Sequence, residues 1–314
     1  MAVVTLYDAG NMFSTRSVTG TLTEATSSEI TVSDGFYAAV YNGNFAYSGT
    51  EVFGTMQSYR EYAGSLLEIS ITGINVDANS ASASINSGRL QPFLEAALSG
   101  NDTIIGSGFG DALAGFGGND VIIPNGGSNT IDGGSGFDTV IIHASIGSAV
   151  SNVTNGVLTL NTAENSNQIV NVERIQFYDG VLALDTQGDA GNAYRLYQAA
   201  FNRVPDQAGL SFWTHQLDEG LGILTAAQGF VNAPEFQAVY GSHPTNAQIV
   251  DLFYHNVLGR AGEPAGYDYW VGVLNHGVPV ANVLEGFADS GENHSYVDPT
   301  LAQGIVLDRT AFLV

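Results

Sequence analysis

The sequence predicts a multidomain β plus α protein: a β-rich N-terminal segment leading into a short parallel β-roll, followed by an all-α domain of two related units. Three observations carry that expectation. A glycine- and aspartate-rich array repeats every nine residues between 98 and 142; period-two apolar runs lie on both sides of it; and from about residue 189 the apolar period becomes helical and the sequence repeats at an offset of 57.

Residues 1–97 form the β-rich N-terminal segment. Alternating runs such as FYAAVYNGNFAYSG and SLLEISITGINV are separated by Gly, Asn and Ser clusters that suit turns. A short helix is expected only at GRLQPFLEAAL. The rings of Tyr37, Tyr41, Phe45 and Tyr47 either pack a sheet or line a carbohydrate-binding surface.

Residues 98–186 hold the array and its flanking strands. Asp102, Asp111, Asp120, Asn129 and Asp138 stand nine residues apart, each followed two places later by an aliphatic residue: Ile104, Leu113, Ile122, Ile131 and Val140. Glycines supply the turns, since they adopt positive φ that other residues resist. What remains of each repeat is a three-residue strand, Thr139 to Ile141 in the last one. If each nine-residue unit reverses the chain, units eighteen apart stack in parallel at roughly 4.8 Å. Asp102, Asp120 and Asp138 then line one edge, and Asp111 and Asn129 the other. Stacked carboxylates repel one another unless a cation lies between them. With turn carbonyls beside them they make an oxygen cage suited to Ca²⁺, which takes about six to eight oxygens at roughly 2.3–2.6 Å, whereas Mg²⁺ prefers a strict octahedron. The expected metal residues are Asp102, Asp111, Asp120, Asn129 and Asp138, with Gly100, Gly118, Gly127 and Gly136 in the turns. GSGFG is not a nucleotide loop, because no helix follows it. The runs GVLTLN and VERIQFYDGVLALD extend the β character to residue 186, and no helix is expected in this middle third.

The array resembles the RTX family of calcium-binding β-roll proteins, whose nonapeptide is G-G-x-G-x-D-x-U-x. GGSGFDTVI, residues 133–141, matches every specified position. Phe109 stands where the fourth-position glycine belongs, Pro124 and Asn125 replace the glycine pair, and Asn129 replaces the aspartate. The resemblance therefore implies weaker binding on the edge of Asp111 and Asn129. It also implies export by a type I secretion system with an uncleaved C-terminal signal. The tail, 298–314, is similar to such signals in ending on LDRTAFLV, charge before a short apolar end.

Residues 187–297 make the helical domain. Across the offset of 57, Tyr197 matches Tyr254, Arg203 matches Arg260, Gly209 matches Gly266, Trp213 matches Trp270, Leu217 matches Leu274, and Phe230 matches Phe287. Each unit reads as helix, Pro- or Gly-containing loop, helix, with Trp and Leu four apart on an apolar face. Arg203 with Asp206, and Arg260 with Glu263, are expected to form structural ion pairs. NRVPDQAGLSFW and LGRAGEPAGYDYW resemble a domain of uncharacterised function that often accompanies RTX arrays, and the resemblance implies no chemistry.

Composition narrows the function. Against 31 acidic residues stand 8 basic ones, all Arg, a net charge of −23. Nucleic acid is a poor partner for such a chain, since phosphate binding needs Lys and Arg, while bound cations relieve its self-repulsion. There is no cysteine for disulfides or thiolate metal sites. MAVVTLYDAGNMF lacks the features of a secretory leader and no stretch approaches the ~18 apolar residues of a membrane span, which alone suggests the cytoplasm. The RTX resemblance overrides that and implies a secreted, extracellular or cell-surface life. The six histidines show no H-E-x-x-H spacing, and no serine sits in G-x-S-x-G, so no enzyme is expected. The expected function is that of a secreted calcium-binding structural protein of the bacterial cell surface or extracellular matrix, such as a surface-layer building unit. Its expected partners are calcium ions together with either further copies of itself or cell-surface polysaccharide. An adhesin or carbohydrate-binding module, and a secreted hydrolase or lyase, are the alternatives.

Overall fold

A computed structural model describes residues 1–12 and 18–312, and the chain divides into two units, Met1–Tyr178 and Asp179–Val314. The first opens with β1 (Val3–Leu6), β2 (Thr21–Ala25), β3 (Glu29–Ser33), β4 (Tyr37–Ser48), β5 (Glu51–Ala63) and β6 (Leu66–Asp77). Two helices follow, α1 (Ala78–Asn86) and α2 (Gln91–Ala97). The array supplies β7 (Thr103–Ile105), β8 (Ala112–Ala114), β9 (Val121–Ile123), β10 (Gly127–Asp132) and β11 (Thr139–Ile141). Beyond it lie β12 (Val150–Thr154), β13 (Val157–Asn161), β14 (Asn165–Val170) and β15 (Arg174–Gln176).

Strands β2 to β6 form an antiparallel meander that passes through β1 into one face of the roll, in the order β2-β3-β4-β5-β6-β1-β7-β9-β11-β15. Strand β1 is the splice: it runs antiparallel to β6, pairing Val3 with Thr72, and parallel to β7, pairing Val3 with Thr103. In the roll, units eighteen residues apart are in register, Thr103 with Val121 and Val121 with Thr139 on one face, Ala112 with Thr130 on the other. The second face continues from β8 and β10 to β14 and the hairpin β13-β12. The aliphatic side chains of the repeat, Ile104, Leu113, Ile122, Ile131 and Val140, are all 0% exposed between the faces. Full burial of each such side chain is worth about 1.5–3 kcal/mol.

The start of the chain completes the roll. Gly10 and Met12 bracket Ala112 by backbone hydrogen bonds of 2.8 and 2.9 Å, so residues 2–12 wind one further coil onto the array. In the meander, Tyr59 packs against both Tyr41 and Phe93 of α2. Of the four rings that could line a carbohydrate surface, Tyr41 and Phe45 in the middle of β4 are buried, whereas Tyr37 and Tyr47 near its ends are exposed. Helix α2 falls in GRLQPFLEAAL, whereas α1 lies in the Ser-rich ANSASASIN, which reads as turn. Its cause is local: the Asp77 carboxylate caps the Ser80 N–H at 2.9 Å, and Ala78 and Ala81 bury the inner face. The middle third carries only a three-residue 3₁₀ turn, Ile146–Ser148.

The second unit comprises β16 (Val181–Ala183), α3 (Asp189–Phe201), α4 (Gln207–Asp218), α5 (Ile223–Asn232), α6 (Pro234–Tyr240), α7 (Asn246–Leu258), α8 (Pro264–Asn275), α9 (Val280–Ala288), α10 (Gly291–Leu301) and β17 (Ile305–Leu307). Helices α7 to α10 begin 57 residues after α3 to α6, one for one. The region is all-α apart from an antiparallel ribbon in which β17 pairs with β16. Much of the expected C-terminal tail is therefore built into the domain: Ile305 and Leu307 are buried, and the Asp308 N–H donates to the Ser211 hydroxyl at 2.7 Å. Leu313 and Val314, the end of LDRTAFLV, lie outside the described residues.

Candidate metal centre

The eighteen-residue register carries Asp102, Asp120 and Asp138 onto one edge of the roll, each just before its strand, and Asp111 and Asn129 onto the other. All five are buried, Asp120 at 1% and Asp138 at 0% exposure. Each carboxylate on the first edge accepts from the backbone of the preceding coil. Asp102 Oδ1 accepts from the Ala2 N–H, Asp120 Oδ1 from the Asp102 N–H at 2.7 Å, and Asp138 Oδ1 from the Asp120 N–H at 2.8 Å. The second oxygen of each, Oδ2 of Asp102, Asp120 and Asp138, is buried without a hydrogen-bond partner.

Those oxygens have carbonyls beside them. A Cβ placed on Gly115 would overlap Asp120 Oδ2 and the Gly133 carbonyl oxygen; one on Gly133 would overlap Asp138 Oδ2 and the Asn171 carbonyl oxygen. Glycine thus leaves open a cradle in which an anionic oxygen and a neutral one from the next coil converge. Burial pushes the Asp120 carboxyl up to about 7, against the lowering effect of the Asp102 N–H and with a further rise from the charges of Asp138 and Asp102. Burial likewise pushes Asp138 up to about 6, opposed by the Asp120 N–H and reinforced by Glu173 and Asp132. A buried anionic oxygen lacking both donor and counter-ion is costly. An all-oxygen donor set with unsatisfied negative charge fits a hard cation of the Ca²⁺ type.

The other edge differs. Asp111 Oδ1 accepts from the Gly10 N–H at 2.7 Å, and its Oδ2 from the Ser107 N–H at 2.7 Å and hydroxyl at 3.0 Å. Asn129 Oδ1 accepts from the Asp111 N–H at 2.9 Å, while its amide donates to the Gly126 carbonyl at 3.2 Å and to Asn167 Oδ1 at 2.8 Å. This edge is satisfied from within.

The four turn glycines have separate places. Gly118 and Gly136 take φ of +108° and +134°, and a Cβ on either would overlap the backbone of the coil before it, at Gly100 and Gly118 respectively. Gly127 at φ +84° is pressed in the same way against Phe109 on the second edge, whereas a Cβ on Gly100 would meet open space. Two side chains outside the repeat also join the columns: Glu173 Oε2 accepts from the Asp138 N–H at 2.7 Å, and Asn167 extends Asn129. Among the described residues no three His, Asp or Glu side chains converge as a metal cluster, so a cation here depends on backbone carbonyls as well as carboxylates.

In the helical unit each Arg makes the expected pair and one more. Arg203 bonds Asp206 and Glu235; Arg260 bonds Glu263 and Glu292. The second partner sits 32 residues on in both cases, in the first turn of α6 or α10, where the helix dipole favours an acid. Each guanidinium also covers a tyrosine ring, Tyr197 at 4.9 Å and Tyr254 at 5.2 Å. Trp213 stacks on Phe230 at 4.7 Å, and Trp270 lies 5.5 Å from Phe287. These are the repeated residues of the sequence, built into the same packing cluster twice. Glu235 and Glu292 themselves stand 57 apart, so the offset held the signal for the missing partners.

Residues 187–223 and 227–297 match the model of a domain of unknown function, DUF4214. A crystal structure of the extracellular lipase LipA from Serratia marcescens aligns at 21% identity with a TM-score of 0.26, covering 28% of this chain and 16% of that one. This chain thus spans less than a fifth of the lipase's length. No curated protein matches the chain. No catalytic family is identified, and no helix among the described residues is long and apolar enough to cross a membrane.

Proposed function

We propose that the chain is a secreted calcium-binding structural protein of the bacterial cell surface or extracellular matrix, whose roll folds when it meets calcium outside the cell. The observation that carries the reading is the column of Asp102, Asp120 and Asp138, each with one buried oxygen engaged by the neighbouring coil and the other without a partner. Without a cation those oxygens oppose the stacking of coils; with one they clamp it. Metal affinity is then folding free energy, and each site bathed at about 100 times its dissociation constant adds about 2.7 kcal/mol. A net charge of −23 fits a chain kept extended in low calcium and exported before it folds. The paired helical units bring packing and ion pairs, which suits a building unit that assembles with itself, as in a surface layer.

The test is a calcium titration of the full chain from chelator to millimolar, following circular dichroism and particle size together. A cooperative gain of β signal followed by growth in size, with magnesium ineffective at equal concentration, is the expected result. A full β signal in chelator that calcium leaves unchanged would remove the calcium reading. Folding without growth would remove the self-assembling role.

A further inference from the structure

We infer that Glu173 and the Asn171 carbonyl complete a further divalent-cation site with Asp138, on a coil that carries none of the glycine-aspartate repeat. The inference rests on the calcium reading above and extends it beyond the array.

Eighteen residues after Asp138 the chain is not in the roll but at Gly156, in the tight turn between β12 and β13, where Asn155 and Gly156 take φ of +51° and +78°. The hairpin diverts the chain, which then returns in register, Thr139 pairing with Arg174 and Val140 with Ile175. Glu173 therefore precedes β15 as Asp138 precedes β11. The turn before it is shorter, three residues (171–173) between β14 and β15 against six (133–138) between β10 and β11. Glutamate has one more methylene than aspartate, and the longer side chain offsets the shorter turn. The outcome is the same contact: the Asp138 N–H donates to Glu173 Oε2 at 2.7 Å, as the Asp120 N–H donates to Asp138 Oδ1 at 2.8 Å.

The neutral ligand is reproduced as well. Asn171 holds φ at +51°, a conformation asparagine tolerates better than most residues, and its amide donates to Asp132 Oδ1 at 2.8 Å. Its carbonyl oxygen is thereby set beside Gly133 and Asp138 Oδ2, as the Gly133 carbonyl is set beside Gly115 and Asp120 Oδ2. Asp138 Oδ2 is the independent pointer to a ligand, because the residue is 0% exposed and this oxygen has no partner. Arg174, the next residue, lays its guanidinium over Phe137 at 4.7 Å and donates to the Glu173 carbonyl at 3.0 Å. The donors offered to the cation are thus Asp138 Oδ2, the Asn171 carbonyl and the Glu173 carboxylate.

The experiment counts calcium ions bound per full-length chain by equilibrium dialysis, with the calcium midpoint from circular dichroism, for the wild type, Glu173→Gln and Asp120→Ala. Glutamine keeps an oxygen for the Asp138 N–H but removes the charge, so Glu173→Gln is expected to fold, bind one ion fewer and raise the midpoint about tenfold. Glu173→Asp, which keeps the charge but loses reach across the short turn, is expected to lose the same ion and serves if the glutamine variant does not fold. Unchanged stoichiometry and midpoint in the folded Glu173 variant, with ions lost from Asp120→Ala, would overturn the site and leave the calcium reading standing. A wild type that binds no calcium would overturn both.

Discussion

The two edges of the roll share a backbone and a register and solve the same problem differently. On both, the side chain at each coil accepts the N–H of the coil before it, at 2.7 Å from Asp102 to Asp120 and 2.9 Å from Asp111 to Asn129. On the amide edge the remaining polar atoms find protein partners: Ser107 covers Asp111, and Asn129 passes its NH₂ to Gly126 and Asn167. On the carboxylate edge the remaining oxygens find none. Asparagine carries its own donor, and aspartate must be given one. The amide of Asn129 and the Ser107 donors to Asp111 thus separate an edge that closes on itself from one that waits for a cation.

Removing the central carboxylate should have the largest effect on that contrast. Asp120→Ala deletes one acidic ligand from the middle of the column and leaves the Asp102 N–H buried without an acceptor, at a cost of about 1–3 kcal/mol even before metal is considered. The calcium midpoint by circular dichroism is expected to rise by about a hundredfold or more, since affinity follows the number of charged ligands. A midpoint within twofold of wild type would show that the column does not hold the ion.

The converse change should make the closed edge resemble the open one. Asn129→Asp sets an anionic oxygen against the Gly126 carbonyl and Asn167 Oδ1, where an amide now donates at 3.2 and 2.8 Å. At calcium just sufficient to fold the wild type, the variant is expected to lose about 1–3 kcal/mol in denaturant unfolding. Further calcium should restore part of it, with a new dependence absent from the wild-type edge. Stability equal to wild type at that first calcium level would mean that the amide ladder does not close this edge.

How much of this could be read beforehand depended on repetition. The aliphatic positions from Ile104 to Val140, the two columns and the 57-residue duplication all recur at fixed intervals, so period alone placed them. The ends of the roll do not recur. Ala2 and Gly10 join it through a strand at the far end of the chain, while Asn167 and Glu173 join it after a hairpin has broken the eighteen-residue beat. Their places follow from sheet register, which is a tertiary fact. Helix α1 escaped for a related reason: Ser and Asn favour turns by local hydrogen bonding, and here the Asp77 cap and the burial of two alanines override that preference. The unpartnered oxygens were likewise invisible, because spacing stacks the carboxylates but does not say which of their oxygens the backbone leaves alone.

The smallest expected effect is on pH, and it bears on the carboxylate edge. With burial holding Asp120 up to about 7 and Asp138 up to about 6, against an ordinary value of 3.8, the calcium-free folded roll binds protons that the unfolded chain releases. Stability in chelator should therefore be highest at the acid end and fall as pH rises from about 4 to about 7, since the unfolded state binds fewer protons there. Calcium takes the ionised carboxylates, so its effect has the opposite sign: between pH 6 and pH 8 the calcium midpoint should drop about tenfold. The overall charge of −23 also favours the acid end through general repulsion, so the decisive control is Asp120→Asn, which keeps an acceptor for the Asp102 N–H and has no proton to exchange. That variant should reduce both slopes, leaving the share that belongs to Asp138. If they persist undiminished in Asp120→Asn, the pH response belongs to the acidic surface and not to the column, and the difference drawn between the two edges loses its electrostatic half.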